Sequence, residues 1–149
     1  MTSVDVVRLG PDHAHALATL LAEHVQERRG GSPPRPDRYW AEQLLCQPRI
    51  ELFGARLDGE LIGVAVVHEL TDCLTGRETG LLETLFVRPQ RRGLGAGREL
   101  LAAVSAEGRR RAWSRLRWIV DEEGARSTLP ERVAPTAPAR IHVVPITRQ

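Results

Sequence analysis

The sequence predicts a mixed α/β (α+β) domain with a central mixed sheet, in the order β-α-α-β-β-β-α-β, followed by an irregular tail. Three observations support this fold class. The chain has 149 residues and is 42% hydrophobic, which suits a single core. Apolar runs of strand length alternate with stretches of helical periodicity, and Gly- and Pro-rich segments separate them. Residues 1–149 are therefore expected to form one domain.

The first third of the chain predicts one strand and two helices. Residues 4–9 form the strand, and Asp12 is a candidate N-cap for the helix that follows. Five side chains share one face of that helix at i, i+3, i+4 spacing: Leu17, Leu20, Leu21, His24 and Val25. Residues 30–36 are too rich in Gly and Pro to be regular. A second helix is expected over residues 37–46.

Three strands follow, over residues 50–57, 60–69 and 80–87. Asp58-Gly59 between the first two is a strong hairpin signal. Residues 60–69 are apolar almost throughout, which is typical of a strand covered on both faces.

The last third predicts the best helix of the chain over residues 95–113 and a strand over 116–120. Three prolines, Pro130, Pro135 and Pro138, weaken the pattern in the irregular tail, residues 121–149. Any helix between Glu122 and Ala134 is expected to be short, with Pro130 in its first turn. Residues 141–144 read as a last strand.

Composition excludes several function classes. All 21 basic residues are Arg, so the chain has neither a Schiff-base lysine nor a P-loop lysine. A net charge of +2 does not favour a nucleic-acid partner. No apolar run approaches the ~20 residues of a membrane span, and the start lacks signal-peptide features. These points predict a cytoplasmic protein with neither a membrane nor a nucleic-acid partner.

The two cysteines, Cys46 and Cys73, fit a reducing compartment and have no metal-ligand spacing. Each is expected to be a small buried apolar residue, and no metal site is expected.

A glycine-rich loop lies between the predicted strand 80–87 and the long helix. Glycines without Cβ atoms allow tight turns and the close approach of an anion to the backbone. Unpaired N–H groups and the helix dipole favour a phosphate or pyrophosphate there, and Arg91, Arg92 and Arg98 can add charge-assisted bonds. The loop comprises Arg92, Gly93, Leu94, Gly95, Ala96 and Gly97.

Three phosphate-binding patterns compete for this loop. A Walker loop needs the lysine that is missing, and a dinucleotide fingerprint fails because position 98 is Arg. The pattern [Gln/Arg]-x-x-Gly-x-[Gly/Ala] is satisfied by Arg92, Gly95 and Gly97. With its flanks, residues 82–89 and 98–101, the segment resembles the coenzyme A loop of the GNAT superfamily of acetyltransferases. The resemblance extends from residue 3 to about residue 120; the alternative is a turn that merely connects strand to helix.

The resemblance implies acetyl-CoA as co-substrate, bound by residues 92–98. In that family the strand before the loop carries a bulge, and its exposed amides bind the pantetheine arm and polarise the thioester carbonyl. Here Leu85, Phe86 and Val87 would supply those amides. The side chains of Leu85 and Phe86 can be core residues at the same time.

Glu83 stands where polyamine-type members of the family have a substrate-facing glutamate. It is the candidate base for the substrate amine, directly or through water, or a ligand of the ammonium group. The alternative is an ordinary exposed strand carboxylate. His68, Glu69 and Glu78 are lesser candidates.

The tail departs from the family. Members usually have a tyrosine there that protonates the leaving thiolate, but Pro130 falls near that position and Tyr39 is the only tyrosine. Water or a residue from elsewhere would then serve. Tyr39 and Trp40 are candidate substrate contacts by cation–π interaction, although Trp40 is as readily an anchor of the second helix.

The resemblance therefore implies an N-acetyltransferase that acetylates a primary amine of a small molecule or peptide by direct attack in a ternary complex. The alternative is a catalytically silent domain that binds acyl-CoA. The oligomeric state stays open between monomer and homodimer.

Overall fold

Five strands form one sheet in the structure, a computed structural model that describes residues 3–120 and 129–146. The mixed α/β class and the predicted order of elements through β5 are confirmed. The elements are β1 (Val4–Arg8), α1 (Ala14–Arg29), α2 (Arg38–Leu45), β2 (Ile50–Leu57), β3 (Glu60–Thr71), β4 (Glu78–Val87), α3 (Ala96–Arg110), β5 (Leu116–Trp118) and α4 (Leu129–Val133).

The strands lie in chain order, β1-β2-β3-β4-β5. The first four are antiparallel, and the β2–β3 connection is the predicted two-residue hairpin, with φ of 51° at Asp58 and 80° at Gly59. In contrast, β5 runs parallel to β4 and pairs only with Gly80–Leu82. The sheet is therefore mixed.

Helices cover both faces of the sheet. On one side, here called the α1/α2 face, residues such as Leu17, Val64 and Phe86 form one buried cluster. On the other, the α3 face, Leu82, Leu100 and Val104 belong to a second cluster. Residues 61–67 of β3 are all buried, which confirms the prediction of a strand covered on both faces.

The start of the first helix differs from its prediction. Pro11 begins a single 3₁₀ turn, Pro11–His13, so Asp12 lies inside that turn and is not the N-cap. The N-cap of α1 is His13, and its Nδ1 accepts a hydrogen bond of 3.0 Å from the Gly10 N–H. A proline at the first helical position fixes φ and starts the turn at residue 11, two residues earlier than an N-cap at Asp12 would.

The prediction that both cysteines are buried is wrong. Cys46 follows the last turn of α2 and Cys73 lies in the β3–β4 connection, and both are exposed. Local polarity of the two connecting segments decides their exposure, whereas the general burial tendency of cysteine does not.

The tail confirms one prediction and corrects another. Helix α4 has five residues with Pro130 second, as expected for a short helix with proline in its first turn. Residues 141–146 form no strand, however, and Ile141 and Val143 are 65% and 83% exposed. Alternating side chains make a strand only where a neighbouring strand supplies hydrogen bonds, and none of the described residues pairs with this segment.

A charge cluster joins α3 to the sheet on the α3 face. The carboxylate of Glu107, which is 8% exposed, accepts hydrogen bonds from Arg110 and Arg111 and lies 2.8 Å from Arg8 Nη2. Arg111 also binds Glu51 and Glu69. Hydrogen bonding from Arg110 first, and from Arg111 and Arg8, lowers the pKa of Glu107, although burial opposes this shift.

Glu107→Gln is expected to lower the free energy of unfolding at pH 7 by about 1–3 kcal/mol, because the arginines lose a charged acceptor. A depressed carboxyl pKa stabilises the fold above the unfolded-state pKa, and the stabilisation is lost as pH falls through the folded-state value. The difference between the two proteins in urea titrations should therefore shrink in acid. Glu99→Gln, on an exposed part of α3, is the control and should change stability by less than about 0.5 kcal/mol. Equal stability of the Glu107→Gln and parent proteins at pH 7 would contradict the assignment.

Among residues 3–120 and 129–146, no helix combines the length and apolarity needed to cross a membrane.

Candidate active site

A wedge opens between β4 and β5 at the point where their pairing stops. In the β3–β4 ladder Val66 lies opposite Thr84 but Val67 lies opposite Leu82, so Glu83 is an extra residue, a β-bulge. Beyond Leu82 no described strand pairs with the β5 side of β4. The bulge and the end of the ladder therefore coincide, and they leave one edge of residues 83–87 open.

The open edge presents the main-chain groups of Leu85 and Val87. The Arg88 N–H donates to Ile62 O at 2.9 Å, which makes Val87 and Gly63 a pair without mutual hydrogen bonds. The N–H groups of Val87 and, by alternation, Leu85 therefore point away from β3 into the wedge. The N–H of Phe86 points towards β3. Of the three predicted amide donors, two face the wedge.

The side chains of these residues are core residues as well. Phe86 is 2% exposed and belongs to the cluster on the α1/α2 face, whereas Leu85 and Val87 pack in the cluster on the α3 face. Leu85 therefore combines a core side chain with an open main-chain edge.

The loop 92–97 has the backbone that its glycines predict. Gly93 and Gly95 have φ of 82° and 85°, a left-handed conformation that strains residues with a Cβ. Gly95 is the N-cap of α3. The N–H groups of Gly93, Leu94 and Gly95 donate to no other described residue, and the first amides of α3 have no intrahelical acceptor. The loop and Ala96 at its helix end thus form an N–H-rich cradle for an anion.

Arg92 connects the start of the loop to β4 and α1. Its Nε donates to Val87 O at 2.9 Å and its Nη2 lies 2.6 Å from Glu27 of α1. Its guanidinium also lies 6.0 Å from the centre of the Phe86 ring. These contacts hold the start of the loop against β4 and α1. The Arg92 guanidinium therefore bonds to groups of the protein itself. Arg98 is exposed and has no ion pair within the part of the chain that is described, which leaves it available to an anion.

Glu83 and His68 meet on the α1/α2 face. His68 follows Val64 and Val66 at two-residue steps, which places it on that face. Its Nε2 contacts the carboxylate of Glu83 at hydrogen-bonding distance. The Glu83 side chain is 58% exposed and that of His68 is 29% exposed. The structure thus brings together two of the four acid–base candidates of the sequence.

The other two candidates have structural partners. The Trp113 indole N–H donates to Glu69 at 2.6 Å, and this bond, followed by the Arg111 bond, lowers the pKa of Glu69 against the effect of burial. Glu78 binds Arg49 and accepts a hydrogen bond of 2.8 Å from the Thr71 hydroxyl.

Tyr39 and Trp40 lie in the first turn of α2 and are 71% and 51% exposed. The Asp37 carboxylate caps this turn by accepting from the Trp40 N–H at 2.9 Å. No hydrogen bond or ring contact joins either aromatic residue to His68 or Glu83 in the described structure. Half-exposed Trp40 is a poor anchor for α2, which instead buries Ala41 and Leu44.

Helix α4 approaches the other side of the cradle. A Cβ built on Gly97 would lie 3.0 Å from Leu129 Cδ2 and 3.6 Å from Leu85 Cδ2. Gly97 therefore allows α3, α4 and β4 to meet closely. No group of three or more His, Cys, Asp or Glu side chains in the described residues is arranged to hold a metal ion.

Sequence reasoning missed the partners that hold this site. Arg92 and Glu27 are 65 positions apart in the sequence, and His68 and Glu83 are 15 positions apart. No local pattern signals either contact. The resemblance implies a bulge in the strand before the loop but not its position, and no glycine in the sequence marks it at Glu83.

Comparison with known proteins identifies the family of the chain. The profile of the acetyltransferase (GNAT) family matches residues 16–129. The structure of a ribosomal-protein-alanine N-acetyltransferase from Brucella melitensis biovar Abortus 2308 is similar, with a TM-score of 0.85 and 31% identity over 97% of this chain and 99% of that chain. An aminoglycoside N-acetyltransferase solved in complex with CoA has a TM-score of 0.78 and 21% identity, over 97% of this chain and 95% of that chain.

A further relative matches the chain over a shorter stretch of sequence. Over 52 residues the chain is 48% identical to aminoglycoside N(6')-acetyltransferase type 1 of Stenotrophomonas maltophilia, which covers 33% of this chain and 34% of that protein. The match thus spans about a third of the relative's length. The profile match alone covers more than half of the chain, and the chain belongs to the acetyltransferase (GNAT) family.

Proposed function

We propose that the protein is an acetyl-CoA-dependent N-acetyltransferase that acetylates a primary amine of a small molecule or peptide by direct attack in a ternary complex. The observation that carries the proposal is the position of Glu83. It occupies the bulge at the narrow end of the open wedge, and the main-chain donors of Leu85 and Val87 lie between it and the anion cradle along the chain.

The residues present fit coenzyme A. Gly93 and Gly95 hold a conformation that exposes main-chain amides at the N-terminus of α3, and this suits a pyrophosphate. Two amides of β4, on Leu85 and Val87, suit the pantetheine arm and the thioester carbonyl. When bound, acetyl-CoA would supply an activated acetyl thioester. Arg92 would act indirectly by keeping the cradle in place, and Arg98 is the side chain free to reach a phosphate.

Glu83 would accept the proton of the amine. An ammonium group cannot attack a carbonyl, so its proton must leave before or during attack. The half-exposed carboxylate can receive it directly or through water. The amine nitrogen then bonds to the acetyl carbon as the carbon–sulfur bond breaks, and the sulfur leaves as a thiolate that takes a proton.

The leaving thiolate is expected to take its proton from water or from a residue outside the tail. The tail hydroxyls nearest the tyrosine position of the family, Ser127 and Thr128, lie outside the described residues. Because aliphatic hydroxyls are poor acids, Ser127→Ala combined with Thr128→Val should keep kcat within about twofold of the parent. Steady-state kinetics with thiol detection tests this, and loss of most activity in a folded double variant would place a general acid in the tail.

Two acceptor chemistries follow from the named relatives, an aminoglycoside amine and the amine of a ribosomal-protein alanine, which is free only where alanine is the first residue. We propose a primary amine as the feature common to both. Turnover is tested by detecting free thiol from acetyl-CoA with kanamycin, spermidine and a short peptide with N-terminal alanine. Release of thiol with at least one of them supports the enzyme. Tight acetyl-CoA binding without turnover of any amine would instead support the silent binding domain.

A further inference from the structure

His68 has no role in the mechanism above, yet it contacts the residue that the mechanism depends on. Its Nε2 lies at hydrogen-bonding distance from one carboxylate oxygen of Glu83, Oε2. No other hydrogen bond or ion pair of either side chain involves a described residue. The two side chains therefore form an isolated pair beside the wedge.

The chemistry of the two groups determines which of them donates the hydrogen bond. A carboxylate can only accept hydrogen bonds, so the imidazole Nε2 must carry the hydrogen and donate it. This occupies Oε2 of Glu83 and leaves Oε1 as the oxygen available to a substrate. Because Nε2 already carries a hydrogen, His68 cannot receive a second proton at the atom that faces Glu83.

Backbone geometry explains why Glu83 needs such a partner. The bulge residue lies outside the β3–β4 ladder, and its side chain is 58% exposed. An exposed glutamate samples several rotamers, and fixing one of them costs side-chain entropy. A donor on a central strand, itself only 29% exposed, restricts that freedom.

We propose that His68 is a positioning residue, which holds Oε2 of Glu83 so that Oε1 is directed at the substrate ammonium group. This rests on the proposed function, since Glu83 must act on the amine for its orientation to matter. Stability does not require the pair, because an exposed pair of polar side chains contributes only about 0–1 kcal/mol. The role therefore predicts a kinetic effect without a folding effect.

Two substitutions separate positioning from proton transfer. His68→Leu removes the donor and keeps an apolar side chain of similar size. His68→Gln places an amide N–H near the former Nε2, so it can still donate to Glu83 but cannot titrate. Glu83→Gln and the His68→Leu/Glu83→Gln double variant complete the set. Each is assayed with kanamycin, spermidine and the N-terminal alanine peptide, alongside acetyl-CoA affinity and melting temperature.

For positioning, we expect His68→Leu to lower kcat by about 10- to 100-fold, because a displaced reacting group is costly. His68→Gln should retain kcat within about threefold of the parent, while acetyl-CoA affinity and melting temperature stay unchanged in both. In the Glu83→Gln background, His68→Leu should have no further effect, because there is no carboxylate left to orient.

Three results overturn the inference. Full activity of His68→Leu refutes positioning but leaves the acetyltransferase function intact. A His68→Gln variant as slow as His68→Leu shows that His68 carries a proton, and the positioning role is then wrong. Absence of turnover by the parent with every amine, despite acetyl-CoA binding, overturns the proposed function together with the inference.

Discussion

Gly95→Val is expected to lower the affinity for acetyl-CoA by about 10- to 100-fold while the domain remains folded. Gly95 has φ of 85° and caps α3, so its conformation sets the direction of the amides at the start of that helix. A β-branched residue resists this region of φ and ψ, and relief of the strain would turn those amides away from the pyrophosphate.

The fold should tolerate this substitution because the new side chain meets no protein atom. A Cβ built on Gly95 has nothing within 4 Å, so the new side chain extends into open space, where we expect it to obstruct an approaching anion. Obstruction of the phosphate and strain of the loop therefore act in the same direction, and neither requires a clash in the core.

Gly76→Val is the matched control. Gly76 also has a left-handed φ, 71°, and an equally open Cβ position, but it lies in the β3–β4 connection at the opposite end of β4 from the loop. Both variants should lose similar amounts of stability, and only Gly95→Val should lose affinity in calorimetric titrations with acetyl-CoA. Equal affinity of the two variants would exclude the loop as the cofactor site.

The loop could be predicted from sequence because its determinants are local. Backbone positions with a left-handed conformation favour glycine, so Gly93 and Gly95 predict the left-handed φ values that the structure has. The same holds for the Asp58-Gly59 hairpin and for the apolar run of β3. In each case neighbouring residues alone fix the conformation.

Features that depend on distant partners could not be predicted in this way. Residues 141–144 alternate like a strand, but a strand exists only where another strand accepts its hydrogen bonds. Arg92 looks like a phosphate ligand in its motif, and only the fold shows Glu27 beside it. The pairing of His68 with Glu83 likewise depends on the register of β3 against β4 and on the bulge.

Glu83→Gln is expected to lower kcat by about 10²- to 10⁴-fold, the usual contribution of a general base, with acetyl-CoA affinity unchanged. Glutamine keeps the size and polarity of the side chain but cannot accept the amine proton. Cofactor affinity should persist because the candidate cofactor contacts are main-chain amides of residues 85, 87 and 93–97 and the Arg98 side chain, none of which the substitution alters.

Glu78→Gln, on the same strand, is the control for a general effect of removing a carboxylate. Glu78 binds Arg49 and Thr71 away from the wedge, so its loss should leave kcat unchanged. The kinetic pattern of Glu83→Gln also separates its two candidate roles. A base affects kcat, whereas a ligand of the ammonium group affects mainly the KM for the amine. Full activity of Glu83→Gln with kanamycin, spermidine and the alanine peptide would make Glu83 an ordinary strand carboxylate, and the proton would have to leave by another route.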